Sequence, residues 1–188
     1  DESNAANFFN TTLSHFSKKK GLSIDIGISI LVTILNVIQA PSLNLFFIDN
    51  EFARSLPFGI PEYGDFIFDI LYFLIQQEID FFDDDLAKKF SQQISFSPIK
   101  GLTILSYYAQ QFDKIESPYP MLDILFTQKQ NFLNSSTVIQ YISLLSYLCV
   151  NVGTFRKDRS IECFTCIAQT LTQTSVESLK NSYGALIC

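Results

Sequence analysis

The feature that most narrows what this chain can fold into is a recurrence. Leu105-Ser106-Tyr107 returns as Leu145-Ser146-Tyr147, forty residues further on. Around it, the segment Ile99-Lys100-Gly101-Leu102-Thr103-Ile104 aligns with Ile139-Gln140-Tyr141-Ile142-Ser143-Leu144 and puts apolar or identical residues at most core positions. A period of about 40–47 residues is that of two- or three-helix units, which cannot bury their apolar faces alone and stack on their neighbours to do so. A third copy reads from Leu179 to Cys188, where Gly184 and Ala185 permit close helix approach.

Helix start signals punctuate the rest. Ser97-Pro98 and Ser117-Pro118 each combine a capping hydroxyl with a proline at the first helical position, where its missing N–H costs nothing. Ser135-Ser136 precedes Val138, Ile139, Ile142, Leu145, Leu148 and Cys149, an apolar stripe at spacings of three and four. Thr174-Ser175-Val176-Glu177 fits a capping box. Stops fall at Gly153 and at Pro57, Gly59 and Pro61. Helices are therefore expected near 7–19, 22–39, 62–78, 84–95, 98–113, 118–128, 136–152, 156–172 and 175–188. Across 43–60, with Leu45-Phe46-Phe47-Ile48, a short strand, a buried loop and one helical turn all remain open. The fold class expected is all-α, with antiparallel helix pairs stacked into a solenoid fragment over a single domain, 1–188, clearest in 97–188 and divergent in 1–96.

These residues resemble the armadillo and HEAT families of helical repeats. Asn181-Ser182-Tyr183-Gly184-Ala185-Leu186 is similar to the third helix of an armadillo unit, where small residues and Leu pack on neighbouring repeats. The resemblance covers about 97–188 and, more faintly, 62–95, and it implies a non-enzymatic module that binds a protein partner or serves as a scaffold. The Asn that often lines the concave ladder of armadillo proteins has no regularly spaced counterpart here. The array also resembles those appended to protein kinases in some protist families, without carrying a kinase motif. Because a solenoid end needs a polar outer face, the apolar finish Ala185-Leu186-Ile187-Cys188 leads us to expect a piece of a longer chain.

Composition bounds the function classes. With 47% hydrophobic and 17% charged residues among 188, the chain has ample material for a core. Residues 49–85 carry ten acids against Arg54 alone, whereas 86–188 carry six acids and nine bases, within a net charge of −6. Nucleic-acid binding needs a basic stripe to neutralise phosphates, so nucleic acid is not expected as a partner. Gly21 to Ala40 is the most hydrophobic stretch, but Ser23, Asp25, Asn36 and Gln39 interrupt it; it reads as a buried helix and not as a membrane span. Cys149, Cys163, Cys166 and Cys188 sit among apolar neighbours, and no secretory signal precedes them, so reduced thiols in a cytoplasmic protein are expected.

Little in the sequence points to catalysis. His15 is the one histidine, and neither a nucleophile elbow nor a Gly-rich phosphate loop occurs; no catalytic residue and no cofactor are expected. Asp80, Asp83, Asp84 and Asp85 are the candidate metal ligands, since clustered carboxylates suit Mg²⁺ or Ca²⁺ and helical diphosphate-handling enzymes use Asp-rich helices. A second ligand set is absent from the sequence, and the same acids suit the N-terminus of a helix beginning near Leu86. Cys163-Phe164-Thr165-Cys166 has the C-x-x-C form, yet on a helix its thiols act as small hydrophobes. Arg156, Lys157 and Arg159 form a compact basic patch, a candidate contact for an acidic peptide or phosphate that also suits a solvated helix start. Three functions stay open: a partner-binding module, a metal-binding or diphosphate-handling domain at Asp80 to Asp85, and a structural spacer beside a catalytic domain.

Overall fold

The computed structural model describes residues 11–12, 23–40, 50–79, 82–111, 119–134, 136–152 and 157–174. All secondary structure among them is helical: α1 (Ile24–Ile38), α2 (Asn50–Ser55), α3 (Gly64–Gln76), α4 (Asp84–Ile94), α5 (Pro98–Gln110), α6 (Tyr119–Thr127), α7 (Val138–Val152) and α8 (Lys157–Gln173), with 3₁₀ turns at Pro61–Tyr63 and Lys129–Phe132. The chain is thus all-α, as expected. The helix expected at 175–188, the stop at Gly153 and the segment Leu45 to Ile48 lie outside the described residues, as does the helix expected at 7–19 apart from residues 11–12, which are helical. Within 43–60 the described part contains the short helix α2. The residues form two compact units, 1–97 and 98–188, which meet in sequence at the Ser97-Pro98 start signal.

In the first unit, α1 presents Gly27, Leu31, Ile34 and Ile38 on one face, at the spacing of a buried helical stripe. That face packs on α3 and on the 3₁₀ turn before it. Gly27 sits where the Tyr63 ring crosses, so a Cβ there would collide with the phenol. Helix α3 ends as Glu78 takes a left-handed conformation, φ 58°, and Ile79 N–H reaches back to Leu74 O at 3.1 Å, the six-to-one bond that closes a helix end. Helix α2 packs on α4, and Phe68, Phe82 and Phe90 meet at tilted angles with ring centroids 5.1 and 5.3 Å apart.

One fully buried polar side chain holds the loop between α2 and α3. Gln93 of α4 accepts from Gly59 N–H at 2.7 Å and donates to Ile60 O at 3.0 Å, which satisfies two loop groups that burial would otherwise orphan. Gly59 itself has φ 86°, a conformation that favours glycine.

In the second unit, α7 packs on α8, and α5 packs on α7 and on the 3₁₀ turn Lys129–Phe132. Tyr141 of α7 is its centre. The ring is fully buried and stacks on Phe132 at 5.1 Å, while the hydroxyl donates to Leu125 O at 3.0 Å and lies 3.0 Å from Cys166 Sγ. Before α7, Asn134 Oδ1 accepts from the N–H groups of Ser136 and Thr137, so this asparagine organises the helix start.

Candidate partner-binding surfaces

The acidic cluster is committed to structure at its centre. Asp83 caps α4 by accepting from Leu86 N–H at 2.8 Å, and its other oxygen pairs with the Arg54 guanidinium. Lys89 Nζ donates to Arg54 O at 2.6 Å, tying α4 to the end of α2 a second time. Burial pushes the Asp83 carboxyl up, but the Leu86 N–H and the Arg54 charge outweigh it and hold it below the ordinary carboxylate value. Asp84 and Asp85 stand exposed in the first turn, where they complement the helix dipole, and Asp85 lies 3.9 Å from Lys88. Asp80 lies outside the described residues. Among the described residues no three His, Cys, Asp or Glu side chains gather in a metal-holding group.

Cys163 and Cys166 face inward from α8, and Cys149 faces inward from α7; none of the three is in a disulfide. Burial raises the Cys149 thiol, and Cys149 Sγ lies 3.7 Å from Ser160 O. Burial also raises the Tyr141 phenol well above its usual range, and the hydrogen bond to Cys166 adds to this. Cys166 opens on its other side to a shallow cleft of about 320 Å³ shared with Phe126, Lys129, Glu162, Thr165 and Gln169. Lys129 Nζ donates to Gln169 Oε1 across it at 3.1 Å, and these two residues are forty apart in sequence. Arg156 lies outside the described residues, as do the side chains of Lys157 and Arg159.

No family profile, curated protein or solved structure matches this chain.

Two surface features went unassigned in the sequence. On α5 and α7 the recurrent tripeptides match at their first and third positions, where Leu105 and Leu145 are fully buried and Tyr107 and Tyr147 are each 40% exposed, while Ser106 is half-buried and Ser146 exposed. Between these helices the Gln140 amide lies 3.3 Å from Thr103 Oγ1 and 3.4 Å from Ser106 Oγ, donating to both. The forty-residue offset was the signal for this pairing, since it gives the two tyrosines the same place on neighbouring helices. The second feature is an apolar flank on α8, where Ile161 and Phe164 are 65% and 64% exposed and Leu171 is 47% exposed, with exposed Ala168 between.

Proposed function

We propose that each unit is a stretch of armadillo- or HEAT-like stacked helix pairs, and that the chain is a non-enzymatic module binding a protein partner along the α5–α7 face. The packing of α1 on α3, of α2 on α4 and of α5 on α7 supports the stacking, because in such arrays each helix lies against its counterpart in the next pair. The observation that carries the binding role is the matched exposure of Tyr107 and Tyr147 on adjacent helices. Tyrosine combines a large apolar ring with a polar tip and is enriched among the residues that dominate interface energies. The net charge of −6 directs the reading to a protein partner and away from nucleic acid. The cytoplasmic setting expected from the cysteine usage belongs to the same proposal.

The test places a photocrosslinking residue at position 107 or 147, with position 92 on α4 as control, and compares captured proteins with those of the Tyr107→Ser/Tyr147→Ser double variant. A partner captured at both tyrosine positions and not at 92 is expected to lose about 30-fold or more in affinity in the double variant, the loss that follows removal of an interface hot spot. Unchanged affinity, or no specific capture at either tyrosine, would favour a structural spacer.

A further inference from the structure

The cleft beside α8 has two walls and two unlike ends. On α8, Glu162, Thr165, Cys166 and Gln169 follow at spacings of three, one and three residues, which puts them on one face of the helix. Phe126, in the last turn of α6, and Lys129, in the 3₁₀ turn, form the opposite wall. Lys129 Nζ donates to Gln169 Oε1 at 3.1 Å, which fixes the cation at the Gln169 end. Glu162 lies seven residues, about 10 Å of helix, toward the N-terminus of α8. The cleft therefore carries a positive charge at one end and a negative charge at the other.

Between these ends the lining is largely apolar. Thr165 Oγ1 donates to its own helix, to Ile161 O at 2.8 Å, and so directs its proton away from the cleft. The Cys166 thiol, held from behind by the Tyr141 hydroxyl at 3.0 Å, acts as a small hydrophobe. Phe126 adds a half-buried ring. At the positive end an ammonium has only donors to offer, so the Gln169 oxygen faces it and Gln169 Nε2 is left to donate. Lys129 keeps further N–H groups beside it, and a carboxylate placed there accepts from both residues through charge-assisted bonds.

We propose that this cleft binds a short apolar peptide with free ends. Its carboxylate sits at Lys129 and Gln169, its ammonium at Glu162, and its middle side chain against Phe126 and Cys166. The dimensions agree with this. An extended chain advances about 3.3 Å per residue, so three residues separate their charged ends by about 10 Å. A volume of about 320 Å³ falls at the small end of ligand sites, which are mainly apolar with a few placed polar groups. A single amino acid holds its charges too close together to reach both ends. The site stands apart from the Tyr107 and Tyr147 surface, and neither reading depends on the other.

Titration of the full chain with the tripeptide Ala-Leu-Ala, followed by amide NMR shifts, tests the proposal. Saturable shifts are expected at 126–129 and 162–169. N-acetylated Ala-Leu-Ala lacks the ammonium and C-amidated Ala-Leu-Ala lacks the carboxylate, and each is expected to bind about fivefold more weakly. This comparison needs no variant of the protein. Variants then assign the ends: Glu162→Gln should abolish the preference for free over acetylated peptide and keep the preference for carboxylate over amide, and Lys129→Gln should do the reverse. Glu162 is exposed and Lys129 half-buried, so the fold is expected to survive both changes, with amide shifts away from the cleft unmoved. Absence of saturable shifts, shifts centred elsewhere, or equal binding of free and blocked peptides would overturn the proposal. So would preferences that persist in both variants.

Discussion

The two units solve the same problem, burying the ends of short helices, with different chemistry. In residues 1–97 the ties are polar and long in sequence: Gln93 to Gly59 and Ile60, Arg54 to Asp83, and Lys89 to Arg54 O. In residues 98–188 a single aromatic residue, Tyr141, stacks on one turn, bonds the end of α6 and touches a thiol on α8. Short α2 exposes much backbone for the little apolar surface it buries, so the loop after it is held by side-chain hydrogen bonds. The longer pair α7 and α8 relies on packing. The difference predicts where each unit breaks: the first fails by orphaning polar groups, the second by losing volume.

The largest effect is expected at Tyr141. Tyr141→Ala removes a buried ring and should cost about 3–5 kcal/mol of unfolding free energy, measured by urea denaturation. Tyr141→Phe keeps the ring and loses the bond to Leu125 O, at about 0.5–1.5 kcal/mol. If the two variants cost the same, the second unit depends on the hydroxyl and the contrast between the units collapses. Next comes Gln93→Leu, which keeps side-chain bulk but leaves Gly59 N–H and Ile60 O without a partner, at about 1–3 kcal/mol for each group. Hydrogen exchange should locate the loss in residues 56–63 and at α4. A neutral result would show that the loop finds other partners and that packing suffices in the first unit as well.

How much of this was legible in the sequence follows from the range of each interaction. Asp83 as a cap was readable because a cap acts within three residues, and the forty-residue recurrence was readable because equal burial leaves equal residue types at 105 and 145. The role of Gln93 was not readable: its partners lie 33 and 34 positions away in a loop that carries no pattern. Helix α2 stayed open because six residues provide less than two turns of periodicity. Tyr141 looked like one apolar position among several, since its bonds to Leu125 and Cys166 cross helices. The α8 flank was missed for a different reason. Cys163 and Cys166 mark one apolar side and Ile161, Phe164 and Leu171 another, and periodicity does not say which side a neighbour covers.

Gly27→Ala probes the packing of the first unit directly. The added methyl meets the Tyr63 ring, and overpacking of this kind costs about 1–3 kcal/mol. In a Tyr63→Ala background the same methyl should cost less. A double-mutant cycle with no coupling would mean that α1 and the 3₁₀ turn shift apart freely, so that polar ties alone hold this unit.

The smallest expected effect separates the two roles of Asp83. Asp83→Ala removes both cap and ion pair, at about 0.5–2 kcal/mol. Asp83→Asn keeps a capping oxygen and loses only the charge, at about 0–1 kcal/mol for a pair this exposed. Because folding lowers the Asp83 pKa below the ordinary value of 3.8, its contribution is fully present above that pH and disappears as pH falls through the lower folded value. The wild-type minus Asp83→Asn stability difference should therefore be flat near neutrality, shrink below about pH 4, and diminish with added salt as the Arg54 pair is screened. A difference that grows on acidification would mean that the cost of burying the carboxylate exceeds the pull of Leu86 N–H and Arg54. The polar ties of the first unit would then cost stability at Asp83 even while they hold it at Gln93.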